Sequence, residues 1–165
     1  MARLVLVGLP GVGKTTVAQE LGRALGCDVR DTDTVFFERE GATVQEVLRT
    51  RGEVLFRSLE AECLASVLSE DVIVSTGGGI VTTARARSLL VGERTVWLDS
   101  PDDIVLERLG GGDRPLLGDQ PAERLAALRA ERSPWYREVA SVRIDSSGEL
   151  RDIVEAILSQ EGLRT

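Results

Sequence analysis

Gly8-Leu9-Pro10-Gly11-Val12-Gly13-Lys14-Thr15 begins where the wholly apolar run Leu4 to Val7 ends, and Thr16 leads on into a segment with helical spacing. This is the pattern of a phosphate-binding loop between a strand and a helix. Its glycines permit backbone conformations closed to other residues. Successive N–H groups, from Gly11 and Val12 through Gly13 and Lys14 to Thr15 and Thr16, can therefore surround the β- and γ-phosphates of a nucleotide. Lys14 reaches the same phosphates as a point charge, and Thr15 offers a hydroxyl to Mg²⁺. The helix starting near Lys14 aims its positive end at the anion. A glycine-rich turn that binds nothing would need neither the lysine nor the hydroxyl.

Outward from the loop, Val72 to Val74 and Val96 to Leu98 read like Leu4 to Val7, as short strands covered on both faces of a parallel sheet. Val142 to Ile144 offers another, and Asp28 to Arg30 a weaker one. Helical spacing fills the intervals: Val17, Leu21, Ala24 and Leu25 closed by Gly26, then Val54 to Leu68, Pro121 to Arg132 and Leu150 to Leu158. Thr43 with Glu46 makes a capping box ahead of Val47 and Leu48, and Gly52 stands where that helix should stop. Ser100-Pro101 followed by two aspartates starts another. Strand and helix alternate, which predicts the α/β class: a central sheet of about five parallel strands with helices on both faces.

The chain of 165 residues is long enough for one domain, 1–165, with a core that needs no disulfide or metal staple. Twenty basic against 27 acidic residues give a net charge of −7, and the pI near 4.8 argues against nonspecific binding to nucleic acid or an anionic membrane. Any anion must be held by local arginines. No stretch has the length of a membrane span, no charged-then-apolar leader is present, and a cytoplasmic location is expected. Cys27 and Cys63 form no CxxC and read as two buried, reduced thiols. There is no histidine. Acid–base chemistry must then fall to carboxylates, lysine, arginine or a metal.

Five further segments carry candidate chemistry. Asp31-Thr32-Asp33 lies one crossover after the loop, where a second strand should end beside the first and face the ligand crevice. One acid can orient Mg²⁺ through water and the other can take a proton from an attacking hydroxyl, although an Asx-type turn explains the same residues. Gly77-Gly78-Gly79 follows a strand and suggests close approach of backbone to a ligand, or a plain tight turn. Arg57 and Glu60 sit three apart on a helix, spacing that ordinarily gives a surface pair, while an anionic substrate on an acidic protein requires a fixed cation. Leu109-Gly110-Gly111-Gly112-Asp113-Arg114-Pro115-Leu116-Leu117 has the composition of a hinged lid whose Arg114 closes on the transferring phosphoryl group, or of a mobile loop. Arg132, ahead of Ser133-Pro134, reads as a helix-ending cation or a ligand.

In order, these segments resemble the shikimate kinase family from Leu4 to about Asp145. The phosphate loop is shared by many kinases. The discriminating set is Asp31-Thr32-Asp33, Phe56-Arg57 with Glu60, Gly77 to Gly79, Arg114-Pro115-Leu116-Leu117, and Arg132, Pro134 and Tyr136 at alternate positions. The resemblance implies a three-layer P-loop NTPase fold of the nucleoside-monophosphate-kinase type, with a helical substrate-binding region at about 34–60 and a lid at about 109–121. It implies ATP with Mg²⁺, transfer of the γ-phosphoryl group to the 3-hydroxyl of shikimate on the way to chorismate, and a monomer. By the same resemblance Asp33 touches the substrate hydroxyls and acts as base, and Arg57 and Arg132 clamp the carboxylate. Gly78 and Gly79 border the substrate through backbone. Lys14 and Arg114 stabilise the γ-phosphoryl group, Thr15 ligates Mg²⁺, and Asp31 supports its hydration shell. The loop after Ile144, Asp145-Ser146-Ser147-Gly148-Glu149, departs from the family in lacking a basic residue on the adenine side, for which Arg151 is a candidate substitute.

Two rivals remain on these residues: another small-molecule kinase of the same fold, such as a gluconate kinase, and a nucleotide-dependent switch that transfers nothing. The absence of an NKxD guanine-reading motif weakens the second.

Overall fold

Leu4, Val5, Leu6 and Val7 are all fully buried because the strand they form, β1 (Leu4–Val7), is the middle one of a five-stranded sheet. The computed structural model describes residues 1–110 and 117–160. The other strands are β2 (Val29–Asp31), β3 (Ile73–Ser75), β4 (Thr95–Asp99) and β5 (Val142–Asp145), in the order β2-β3-β1-β4-β5, every pair parallel. Register places Leu6 beside Ser75, and Ser75 beside Asp31, so the ends of the first three strands stand level. The loops that follow them open together at the carboxyl edge, where ligands bind in open α/β sheets.

The helices flanking this sheet are α1 (Lys14–Leu25), α2 (Thr32–Glu40), α3 (Val44–Arg51), α4 (Glu53–Leu68), α5 (Ala84–Leu90), α6 (Asp102–Gly110), α7 (Pro121–Val139) and α8 (Leu150–Gln160), with a 3₁₀ turn at Ile80–Thr82. α1 packs on α8, and α5 packs against both α4 and α7. Local signals act as read. Gly26 ends α1 in the left-handed conformation at φ 61°, and the capping box of α3 forms in both directions, Glu46 N–H donating to Thr43 Oγ1 at 3.2 Å and Thr43 N–H to Glu46 Oε2 at 2.7 Å. None of the described helices is long and apolar enough to cross a membrane.

Three expectations are corrected. β2 does not lie beside β1, because β3 pairs between them. Arg132 does not end a helix: α7 runs through Pro134 to Val139, leaving Arg132 in its interior. A proline there costs about 3 kcal/mol, but the turn beyond it buries Tyr136 and Val139 against the sheet, with Tyr136 stacked on Trp97 at 5.7 Å. Of the two thiols, Cys63 is buried and Cys27 only half so; both are free, and burial pushes both up from the usual thiol value. Residues 111–116, which include the proposed lid arginine Arg114, lie outside the described residues.

Candidate active site

Gly11 and Gly13 hold φ of 81° and 94°, which turns the loop back onto the start of α1. Gly13 caps that helix with no side chain, so the N–H groups of Lys14, Thr15 and Thr16 have no helical acceptor and remain for an anion. Lys14 is buried, and its Nζ donates to the carbonyls of Gly8 at 2.7 Å and Leu9 at 2.8 Å. Desolvation holds its pKa down to about 8, against the opposing pull of Asp33 and Asp31.

A depressed lysine beside a phosphate site makes nucleotide affinity depend on pH. Bound phosphate favours the charged ammonium, so the bound-state pKa is the higher one. Affinity for ADP should be complete below about 8 and fall above it by up to about tenfold per pH unit until the bound-state value is reached. Calorimetric titration across that range measures it, and a flat profile would mean that Lys14 does not face the phosphates.

Asp31 divides its carboxylate between two tasks. Oδ1 caps α2, accepting from Asp33 N–H at 2.9 Å and Thr34 N–H at 3.3 Å, while Oδ2 lies 3.5 Å from Thr15 Oγ1. The Asx-type turn and the site placement therefore coexist. Asp33 follows in the first turn of α2, close enough for its charge to act on both Lys14 and Glu60.

The three glycines after β3 are the meeting point. A methyl group on Gly77 would stand 3.0 Å from Asp33 Oδ1, one on Gly78 2.7 Å from Pro10 Cδ, and one on Gly79 2.6 Å from Arg57 Nη2. Only glycine lets the acid, the phosphate loop and the guanidinium approach one short stretch of backbone together. Arg57, on α4, donates from Nη1 to Glu60 Oε2 at 2.7 Å and to the Gly79 carbonyl at 3.1 Å, and lies over the Phe56 ring at 4.9 Å. The helical pair with Glu60 does form, but it is no surface pair: the side chains are 15% and 7% exposed. Burial pushes the Glu60 carboxyl above the usual range, with the Arg57 charge working against the shift.

Arg132 reaches the same place from α7. Its charge acts on Lys14, Glu60 and Tyr136, and its buried Nε makes no hydrogen bond among the described residues. Tyr136, one turn further along, donates its hydroxyl to the Gly78 carbonyl and has a pKa pushed up to about 12, chiefly by desolvation. Arg129, one turn before, fastens α7 to the sheet end through Asp99 Oδ1, Asp102 Oδ1 and the Ser100 carbonyl, each at 2.6 Å. Neither Tyr136 nor Arg129 was assigned a role from sequence.

Behind the phosphate loop a cavity of about 420 Å³ is lined by Gly13, Val17, Arg108, Ser146, Leu150 and Ile153, among others. Arg108 Nη2 donates to the Ser146 carbonyl at 2.8 Å, and Ser146 Oγ donates to the Val12 carbonyl at 2.7 Å. α6 thus places a planar guanidinium against the loop after Ile144, on the wall of this cavity and close to Leu150 and Ile153. Arg151 instead lines a separate groove with Glu20 and Glu155 between α1 and α8.

A phosphate loop on a five-stranded parallel sheet, with a carboxylate and two guanidiniums grouped in front of it, defines a phosphate-loop kinase. Comparison with known proteins narrows the class. A family model described as shikimate kinase matches residues 10–161, and a shikimate kinase of Mycobacterium avium is 42% identical over 148 residues, 88% of this chain and 84% of that protein. The chain belongs to the shikimate kinase family. A solved structure of shikimate kinase from Acinetobacter baumannii in complex with shikimate superposes with a TM-score of 0.88 at 36% identity, covering 95% of this chain and 90% of that one. A gluconokinase from Sinorhizobium meliloti superposes at 0.66 with 18% identity, a likeness of fold alone.

Proposed function

We propose that this protein transfers the γ-phosphoryl group of ATP to the 3-hydroxyl of shikimate, giving shikimate 3-phosphate and ADP, a step toward chorismate and the aromatic amino acids. The observation that carries the reading is the convergence of Asp33 and Arg57 on the Gly77 to Gly79 backbone, directly beside Pro10 of the phosphate loop. Shikimate presents a carboxylate at one end of its ring and hydroxyls at the other. Arg57 and Arg132 would bind the carboxylate by charge-assisted hydrogen bonds, leaving a ring hydroxyl at Asp33. Gly78 and Gly79 would border the ring through backbone.

In this account the loop N–H groups and Lys14 fix the β- and γ-phosphates, and Asp33 accepts the proton as the hydroxyl attacks in line. Lys14 leaves the Gly8 and Leu9 carbonyls for the transferring group, and Arg114 joins it from the proposed lid, 109–121. Thr15 and Asp31 fit a magnesium ion arriving with the nucleotide, since both are hard oxygen donors at the phosphate end of α1. Such an ion would offset negative charge across the β- and γ-phosphates. The same reading takes the protein as a monomer, and the two free thiols suit a reducing cytoplasm.

Steady-state assays with ATP and Mg²⁺ that compare shikimate with gluconate test the proposal. Turnover of shikimate is expected, and turnover of gluconate alone would overturn the assignment.

A further inference from the structure

Ser75, the last residue of β3, is 1% exposed, and its Oγ makes no hydrogen bond among the described residues. Buried hydroxyls are rarely left so. Its neighbour Thr76, equally buried, donates its own hydroxyl to the Leu6 carbonyl at 2.8 Å. Strand register sets Ser75 directly beside Asp31. Both residues, with Thr15, line one cavity of about 790 Å³ that opens beside the phosphate loop. The unpaired hydroxyl therefore stands where a third oxygen would complete the pair made by Thr15 Oγ1 and Asp31 Oδ2, which are 3.5 Å apart.

We propose that Ser75 is a positioning residue for the divalent cation, its Oγ accepting a hydrogen bond from a water on the ion held by Thr15 and Asp31. Magnesium keeps several of its waters when bound to proteins, and the groups that orient those waters set how firmly it is held. The inference rests on the kinase reading above, and it explains why a buried strand end carries a serine hydroxyl with no partner among the described residues.

Calorimetric titration of ADP into the full chain, once with EDTA and once with saturating Mg²⁺, gives the enhancement of affinity due to the ion. Ser75→Ala is expected to lower that enhancement about three- to tenfold while leaving the EDTA affinity within about twofold and the Tm unchanged or raised, since the lost hydroxyl has no partner among the described residues. Ser75→Cys, nearly isosteric and a poor acceptor, should do the same and serves if the alanine variant packs badly. An undiminished enhancement in both variants overturns the proposal, as does an equal loss of affinity in EDTA, which would mean a distorted loop. The kinase reading is tested apart, by shikimate turnover in the unaltered protein. Loss of enhancement without that turnover would sink the reaction and keep the cation residue, and turnover with undiminished enhancement would do the reverse.

Discussion

Asp33→Asn should lower turnover of shikimate by about two to four orders of magnitude while changing the KM for shikimate little. Asparagine keeps the shape of the side chain and an oxygen able to accept a hydrogen bond from a hydroxyl. It loses the charge and the ability to take a proton. The carboxylate reaches within 3.0 Å of where a Gly77 methyl would stand, in front of the phosphate loop, so the substitution acts at the reacting end of the proposed site. A second effect separates this from simple disruption. Asp33 holds the Lys14 pKa up, so the variant should shift the loss of ADP affinity to a pH below the native onset near 8. Near-native kcat with a raised KM would reduce Asp33 to a positioning group.

Arg57→Ala should raise the KM for shikimate about 10- to 100-fold, the worth of a partly buried charge-assisted hydrogen bond, and leave the KM for ATP within about twofold. The single variant also leaves Glu60, 5% exposed, without its cation, and a lower Tm is expected from an orphaned buried carboxylate. The double variant Arg57→Ala/Glu60→Gln removes that charge as well. It should recover the Tm and keep the high KM, because stability depends on the pair and substrate affinity on the guanidinium. A folded double variant with native KM would return Arg57 to a purely structural role.

What could be read from the chain follows the range of the forces involved. The phosphate loop, the capping box of α3 and the fully apolar strands are local patterns, and the structure carries each of them where the residues imply. The end of α7 was misread because Ser133-Pro134 is a strong local stop, whereas the burial of Tyr136 on Trp97 that overrides it is a contact between residues far apart in sequence. The Arg57–Glu60 spacing is that of any exposed helical pair, and only the packing of α4 under the glycine run makes it buried. Arg108 carried no signal at all, since its closeness to the Val12 to Ser146 seam exists only after α6 docks. Arg129 and Ser75 were invisible for the same reason: their significance lies in partners, or the lack of one, across strands.

The central claim is that the side chains at 33, 57 and 132 serve one molecule. A crystal structure of the protein soaked with shikimate and ADP tests it most directly. The account predicts the carboxylate of shikimate between the guanidiniums of Arg57 and Arg132, with a ring hydroxyl at Asp33 facing the nucleotide. Shikimate bound with its carboxylate away from both arginines, or no hydroxyl within hydrogen-bond reach of Asp33, would contradict it.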